Sequence, residues 1–326
     1  MEAVKAEDLY QVVSLGNLQA SGQRAVLARN QAKADGEGYW NWLDVFENGE
    51  LKRLTTLGQE KSYALVDNSV YYTVQEGKGN CLLYKQELDQ ASPAKVADFK
   101  EAGYQVINSV AGRYLLLSRR VDLAEKKSTD YQVLDELPYY FNGQGYINKL
   151  RDRLYVWDLE EEKLTELFKD DPSFTVMETF VAKEKVYVVG VSYQTRRPFD
   201  GAVYEVDPST GEAKLLLAAG KAEVSAIFAL NNQVYCFANT HKKTGLNENP
   251  EFYRLTEDGL ELAANFDNSG QSAIAGDCGV IGGNAFDVYG DKFYFVTTIV
   301  DHDEIYVFDG QEVKPDTEGV RNVPSQ

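Results

Sequence analysis

Ser272 has the surroundings that come nearest to those of a catalytic nucleophile. It lies in the segment Gly-Gln-Ser-Ala-Ile-Ala-Gly, residues 270–276. The nucleophilic serine of a hydrolase sits in a Gly-x-Ser-x-Gly turn, where small residues let the backbone turn sharply beside the oxyanion hole. Ile274 stands where the second glycine is required, and no Gly-x-Ser-x-Gly pentapeptide occurs anywhere in the sequence. We therefore expect this segment to be a loop, and we expect no catalytic residue in the chain.

The two histidines, His241 and His302, are the next candidates for catalysis or metal binding. Both lie in polar segments typical of turns, and a catalytic triad needs a histidine beside both a nucleophile and an acid. His302 stands between Asp301 and Asp303, but neighbouring residues of a strand point to opposite faces of the sheet. We expect solvated loop histidines, no metal site and no cofactor.

Paired carboxylates would suit a glycosidase, which needs an acid and a nucleophile or base at a set separation. With 51 acidic residues, adjacent pairs are expected in any case. The acidic clusters at 160–162 and 170–171 lie in predicted turns, and we interpret them as a solvated rim. A glycosidase-like protein stays an alternative, because the sequence cannot show the distance between two carboxylates.

The formal charge of the chain is −18, with 33 basic residues against 51 acidic ones over 326 residues. Nucleic-acid binding depends on clustered Lys and Arg that contact phosphates, and this sequence has no such cluster. An anionic membrane surface would repel the chain for the same reason. We expect neither nucleic acid nor a membrane as a partner.

The cysteines and the N-terminal residues indicate the compartment. Cys81, Cys236 and Cys278 are an odd number, far apart, and in no metal-binding or redox spacing. The first residues are acidic and are not followed by the apolar run of a secretory signal. We expect buried, reduced thiols and a cytoplasmic location.

A repeat of strands organises the whole chain. One element is a turn residue followed by an apolar and aromatic strand, and a second element, ending in an acidic turn, always follows it. The central residues of the first element are Val26, Tyr71, Leu115, Tyr187, Tyr235 and Tyr294. They recur at roughly the 40–50 residues of a four-stranded propeller blade, except between the third and the fourth. A shorter strand flanks the pair on each side.

This repeat predicts an all-β fold, a β-propeller of four-stranded blades, with six blades legible and a seventh missing or incomplete. One four-stranded sheet cannot bury both of its apolar faces, so blades must stack on their neighbours. We therefore expect residues 1–326 to form a single propeller domain. An array of β-sandwiches is the alternative, but its turns would recur without this longer period.

The third blade carries an insertion at about residues 120–148. It contains a charged stretch, residues 122–130, and then the aromatic run Leu-Pro-Tyr-Tyr-Phe-Asn-Gly-Gln-Gly-Tyr-Ile, residues 137–147. An insertion in one repeat maps to a loop on one face, and such loops often carry a binding function.

The aromatic run, followed by Arg-Leu-Tyr-Val-Trp-Asp at 153–158, resembles the third-blade signature of the prolyl oligopeptidase family of serine peptidases, in its acylaminoacyl peptidase branch. The family signature is usually Pro, a residue that is aromatic or Arg, an aromatic residue, then Asp-Gly-x-Gly-Tyr. Asn142 replaces that Asp here, so a role of its carboxylate does not carry over. The opening residues 8–22 and the Lys-Arg-Leu-Thr at 52–55 are also similar to the first blade of the family.

The resemblance covers nearly the whole chain but only the propeller half of such a peptidase, and it implies the function. We expect a non-catalytic propeller whose catalytic α/β-hydrolase domain is absent from this chain. By the resemblance, it belongs to a cytoplasmic enzyme acting on short peptides, where it gates access to the active site and contributes to substrate selection. The implied partners are the hydrolase domain of the parent peptidase and short peptides.

The residues that we predict to bind substrate lie in the insertion, just before it, and in the loop at 193–200. The arginines suit a peptide carboxylate or carbonyl, because the guanidinium offers paired donors. The alternative for each is a surface residue whose charge offsets the acidic surroundings. The predicted set is Arg119, Arg120, Tyr139, Tyr140, Asn142, Tyr146, Arg196 and Arg197.

A free-standing propeller that acts as a protein-interaction scaffold is the alternative function. Family members generally have seven blades before the hydrolase, and the residues after Gly310 are too few for another blade. We therefore expect the chain to be cut within or before its last blade. An incomplete ring exposes strand edges, which makes a homo-oligomer possible.

Overall fold

The computed structural model describes residues 5–77, 79–124, 130–131, 133–273 and 286–316. Within these residues the chain forms six four-stranded antiparallel sheets, one two-stranded hairpin and a short 3-10 helix, Ala6–Gln11. Each four-stranded sheet is one blade, and in five of the six blades its strands follow one another directly along the chain. The predicted class, an all-β propeller of four-stranded blades with six of them legible, is confirmed.

The chain divides into two compact units, of which the first comprises Met1–Val121 and Asp152–Leu167. Blade one consists of β1 (Val13–Ser21), β2 (Arg24–Ala32), β3 (Tyr39–Glu47) and β4 (Glu50–Arg53). Blade two consists of β5 (Tyr63–Val66), β6 (Ser69–Glu76), β7 (Asn80–Glu87) and β8 (Ala94–Phe99). Blade three consists of β9 (Gln105–Val110), β10 (Tyr114–Asp122), β13 (Leu150–Asp158) and β14 (Lys163–Glu166).

The second unit comprises Asp122–Arg151 and Phe168–Gln326. Its insertion forms the hairpin of β11 (Tyr140–Phe141) and β12 (Gly145–Tyr146). Blade four consists of β15 (Phe174–Ala182), β16 (Lys185–Ser192), β17 (Ala202–Val206) and β18 (Ala213–Leu217). Blade five consists of β19 (Glu223–Leu230), β20 (Gln233–Asn239), β21 (Glu251–Thr256) and β22 (Gly259–Ala264). Blade six consists of β23 (Phe286–Tyr289), β24 (Lys292–Ile299), β25 (His302–Phe308) and β26 (Val313–Pro315).

In several blades, a tight turn with left-handed residues precedes the second strand. In blade five, Asn231 and Asn232 connect β19 to β20, with φ angles of 44° and 66°. A two-residue hairpin of this kind needs two left-handed residues, and Asn adopts that conformation more readily than most residues. These two turn residues therefore set the register of the β19–β20 pair.

In the first unit, apolar side chains from neighbouring blades share two cores. Val26 and Leu43 of blade one pack with Tyr63 and Tyr72 of blade two. A separate cluster joins Leu83 of blade two to residues of blade three. These cores lie between sheets, because a single sheet has no second layer of its own to cover its faces.

In the second unit, one aromatic core joins blades four, five and six. The rings of Phe228 and Phe293 stack with centroids 3.9 Å apart, and those of Phe252 and Phe308 stack at 4.3 Å. Large rings fill this space well, since stacked pairs add attraction beyond the area that they bury. Stacked phenylalanines therefore form a major contact between blades five and six.

No helix in the described part of the chain has the length and apolar character needed to cross a bilayer. Cys81 and Cys236 are buried free thiols, as expected, and Cys278 lies outside the described residues.

Candidate functional site

The candidate site lies in the second unit, where the insertion contacts the loop between β16 and β17. We call residues 123–149 the insertion and residues 193–201 the blade-four loop. The backbone N–H of Leu137 donates to the carbonyl of Thr195 at 2.7 Å, and the N–H of Arg197 donates to the carbonyl of Leu137 at 2.8 Å. These two bonds fix the aromatic run of the insertion beside the two arginines of the loop.

A buried ion pair supports this contact. Glu136 and Arg151 have side chains that are 1% exposed, and Arg151 Nη2 lies 2.7 Å from Glu136 Oε1. The second oxygen of Glu136 accepts from Arg151 Nη1 at 3.1 Å and from the backbone N–H of Lys149 at 2.8 Å. Burial acts to raise the pKa of Glu136, but the bonds from Arg151 and Lys149 outweigh it and hold this pKa below its usual value. The Glu136 carboxyl therefore stays ionised near neutral pH.

Arg151 also reaches the blade-four loop. It donates to the hydroxyl and to the carbonyl of Tyr193, both at 3.0 Å, and to the carbonyl of Ser173 at 3.0 Å. The guanidinium carbon lies 3.8 Å from the centre of the Tyr193 ring. A planar guanidinium supplies these donors in fixed directions, which a lysine in this position could not. One buried arginine thus connects the base of the insertion to the first residue of the loop.

The aromatic side chains of the insertion face solvent. Tyr139, Tyr140, Phe141 and Tyr146 are each between 43% and 54% exposed. Tyr140 and Tyr146 pair across the β11–β12 hairpin with their rings edge to face and 5.5 Å apart. Exposed aromatic groups held by a hairpin lose little freedom when they bind a partner, which makes them effective contact residues.

Asn142 lies exposed at the turn of this hairpin. The structure therefore places four of the predicted site residues, Tyr139, Tyr140, Asn142 and Tyr146, in one exposed hairpin segment.

Of the two arginines of the blade-four loop, Arg197 lies next to one of these rings. The guanidinium carbon of Arg197 is 5.6 Å from the centre of the Phe141 ring, and Arg196 is exposed. Within the described residues, neither Arg196 nor Arg197 forms an ion pair, although 51 residues of the chain are acidic. A guanidinium beside an exposed ring can bind a carboxylate while the ring covers an apolar side chain.

Arg119 and Arg120 lie on β10, in the first unit, and both are paired. Arg119 binds Glu101 at 2.8 Å and donates to the carbonyl of Ala102 at 3.0 Å. Arg120 forms two bonds of 2.8 Å to the carboxylate of Asp152. Both arginines thus pair with acidic residues of the chain itself, as expected for surface arginines that offset an acidic surface. Their role in substrate binding stays a prediction.

Both histidines are held by carboxylates, which corrects the expectation of solvated histidines. The side chains of His241 and His302 are each 18% exposed. His302 lies 2.9 Å from both Asp301 and Glu304, and His241 contacts Asp200. The sequence does not indicate the His241–Asp200 pair, because the two residues lie far apart along the chain. It does not indicate the contacts of His302 either, because they depend on the conformation of the turn before β25.

Ser272 is buried and donates to the carboxylate of Asp303 at 2.6 Å. Thr298 donates to the other oxygen of that carboxylate, also at 2.6 Å. In the described residues, no imidazole lies within hydrogen-bonding reach of the Ser272 hydroxyl. The hydroxyl thus serves to solvate a buried carboxylate, and residues 274–276 of the same segment lie outside the described residues. The described residues contain no group of three or more His, Cys, Asp or Glu side chains that could hold a metal ion.

Comparison with solved structures identifies the class of protein as a β-propeller of the kind found in peptidases of the family that the sequence resembles. The chain is similar to the acylaminoacyl peptidase of Pyrococcus horikoshii, with a TM-score of 0.69 and 13% identity over 96% of this chain. It spans about half the length of that peptidase, since the match covers 47% of the other chain. The predicted resemblance is confirmed at the level of the fold.

Two further structures agree. The β-propeller domain of the trilobed protease from Pyrococcus furiosus matches over 94% of this chain and 84% of its own, with a TM-score of 0.59 and 13% identity. A prolyl endopeptidase matches over 94% of this chain and 42% of its own, with a TM-score of 0.56 and 12% identity. No protein-family profile matches the sequence. No curated protein matches it either.

Proposed function

We propose that this chain is the non-catalytic propeller of a cytoplasmic serine peptidase of the prolyl oligopeptidase family, in which it gates the active site and helps to select peptide substrates. The observation that carries the proposal is the position of Arg197 beside the Phe141 ring, with Arg196 exposed in the same loop, in a chain whose fold matches such propellers. Within the described residues, neither arginine forms an ion pair. The catalytic α/β-hydrolase domain would be the partner that supplies the nucleophile.

The proposed site would recognise the carboxyl end of a short peptide. A guanidinium pairs best with a carboxylate, and the exposed rings of Tyr139, Phe141 and Tyr146 would cover an apolar side chain next to it. The excess of negative charge over the rest of the chain would repel the same peptide elsewhere.

Calorimetric titration of the full chain with an N-acetylated tripeptide tests this site. The peptide with a free carboxyl terminus should bind, and its C-terminal amide should bind much more weakly. The double variant Arg196→Ala and Arg197→Ala should weaken binding by roughly ten- to one-hundred-fold, because a charged hydrogen bond contributes about 1.5–3 kcal/mol. It should leave the free energy of unfolding within about 0.5 kcal/mol, as for other surface substitutions.

Arg254→Ala is the matched control, since this arginine on β21 is also partly exposed and instead pairs with Glu261. It removes one positive charge from the same unit and should leave the affinity unchanged. Equal affinities of the acid and the amide, or equal losses in both variants, would contradict the proposed site.

The size of the native protein in its source cells separates the peptidase from the scaffold. An antibody raised against this chain should detect a band of about twice 36.5 kDa if a hydrolase domain is part of the same protein. A band at 36.5 kDa would contradict the peptidase proposal and favour an interaction scaffold.

A further inference from the structure

The C-terminal end of the blade-four loop is held by a histidine from blade five. His241 Nε2 lies 3.1 Å from each carboxylate oxygen of Asp200, and the two side chains are 18% and 8% exposed. His241 has a φ of +58°, and its backbone N–H donates to the side chain of Asn239 at 2.8 Å. A left-handed backbone conformation costs free energy at a residue other than glycine. The contacts of the His241 side chain therefore help to hold His241 in this conformation.

Both nitrogens of the His241 ring face acceptors. Nε2 faces the carboxylate of Asp200, and Nδ1 lies 3.4 Å from the carbonyl oxygen of Gly245. Only the protonated imidazole carries a hydrogen on both nitrogens, so the arrangement fits the imidazolium form. In a neutral ring, one of the two nitrogens would have no hydrogen to donate to the oxygen that it faces.

The charged groups around this ring favour its protonation. Asp200 faces it from the blade-four loop and Glu223 from the start of β19. On its own loop, the Glu248 carboxylate accepts the backbone N–H groups of residues 242–244, and Lys243 is turned towards Glu251 at 2.5 Å. Burial acts to lower the pKa of His241, but the bond to Asp200 outweighs it, and the pKa lies above its usual value.

The hydrogen bonds of the Asp200 carboxylate come from this histidine. Within the described residues, His241 is the only group that forms a hydrogen bond to the Asp200 carboxylate. The start of the same loop is held by the bonds of Arg151 to Tyr193, and its middle by the two backbone bonds to Leu137.

We propose that His241 is a positioning residue, whose protonated ring holds Asp200 and thereby fixes the blade-four loop that presents Arg196 and Arg197. As the pH rises and the ring loses its proton, the bond to Asp200 loses its charge attraction, so the Asp200 end of the loop loosens while the Tyr193 end stays bound. The proposal deepens the proposed function, since it makes peptide binding at the two arginines stronger in mildly acidic solution than in alkaline solution.

Hydrogen exchange read by mass spectrometry tests the positioning role without any peptide. In the full chain, amides of residues 194–201 should exchange faster at about pH 8 than at about pH 6, after correction for the intrinsic rates. His241→Gln should remove this pH dependence and leave exchange fast at both values. Amides of residues 135–150 should stay protected in both proteins. Unchanged exchange of residues 194–201 across this pH range would overturn the proposal.

His302→Gln is the matched control, because His302 also lies between two carboxylates but on blade six. It should leave the pH dependence of residues 194–201 intact. It also leaves His241 as the one histidine of the chain, so its ring can be titrated by NMR even if His241→Gln does not fold. The ring should titrate together with the amide signals of residues 194–201, and independent titration of the two would sink the idea.

The outcomes separate this proposal from the proposed function. A pH-dependent loop together with no effect of the Arg196 and Arg197 variant on peptide affinity would contradict the peptide site alone. A peptide affinity that depends on the two arginines but not on pH or on His241 would contradict the positioning role alone.

Discussion

Arg151 and Glu136 form an ion pair in which both side chains are 1% exposed, and Arg151 lies where the insertion ends and β13 begins. Arg151 also binds Tyr193 and Ser173, so one guanidinium holds three segments of the second unit. A buried pair of this kind makes the insertion a fixed part of the fold, and its removal should be costly.

Arg151→Met should lower the free energy of unfolding by about 3–5 kcal/mol, because it leaves the Glu136 carboxylate buried without a partner. Urea unfolding followed by circular dichroism measures the loss. Arg120→Met is the control, since the Arg120–Asp152 pair is 44% and 41% exposed. That variant should cost less than about 1 kcal/mol. Similar losses in the two variants would show that the burial of Arg151 has no energetic role.

The same pair predicts a dependence of stability on acid. The pKa of Glu136 lies below its usual 4.5 in the folded chain, so its ionisation stabilises the fold above that value. The contribution is lost as the pH falls through the lowered folded pKa. The difference in unfolding free energy between the native chain and Glu136→Gln should therefore shrink below about pH 4.5, and a constant difference down to pH ~2 would disprove the linkage.

Tyr63→Phe should destabilise the first unit. Tyr63 is fully buried, and its hydroxyl lies 2.5 Å from the carbonyl of Asn17 and 2.6 Å from that of Val26. Loss of the hydroxyl leaves these carbonyls without that donor, which should cost about 1–3 kcal/mol in urea unfolding. Tyr71→Phe is the matched control. Tyr71 is also buried, but its hydroxyl has no hydrogen bond within the described residues, so this variant should be nearly neutral.

Cys81 and Cys236 should resist alkylation in the folded chain. Burial raises the pKa of the Cys236 thiol to about 12 and also raises that of Cys81, so little of the reactive thiolate is present. Iodoacetamide at about pH 8, followed by peptide mapping, should label both residues in urea and neither without it. Labelling of either peptide at the same rate with and without urea would refute the buried assignment.

The strands were predictable from the sequence because local signals define them. The run that begins at Asn232 contains a turn residue and alternating large side chains, and the structure places β20 at Gln233–Asn239. The insertion was predictable from spacing alone, since β10 ends at Asp122 and β13 begins at Leu150. Periodicity therefore gives the blades and where one of them is interrupted.

The charged contacts of the site were not predictable in the same way. Arg151 stands in a strand among other charged residues, and Glu136 resembles an ordinary turn carboxylate, so nothing local indicates that both are buried. His241 and Asp200 are 41 residues apart and come together only through two loops of neighbouring blades. Strand irregularities were also invisible, such as the register shift between Val224 and Ala226 of β19. Partners at long sequence separation need the tertiary structure.

The sharing of each core between successive blades has a consequence for synthesis of the chain. A blade that has just left the ribosome, such as blade five, still exposes Phe228 and Phe252, because their stacking partners Phe293 and Phe308 belong to blade six. The nascent chain therefore carries one uncovered aromatic face until the next blade is made. Slow translation of the next blade would prolong that exposure, and fast translation of it would shorten it.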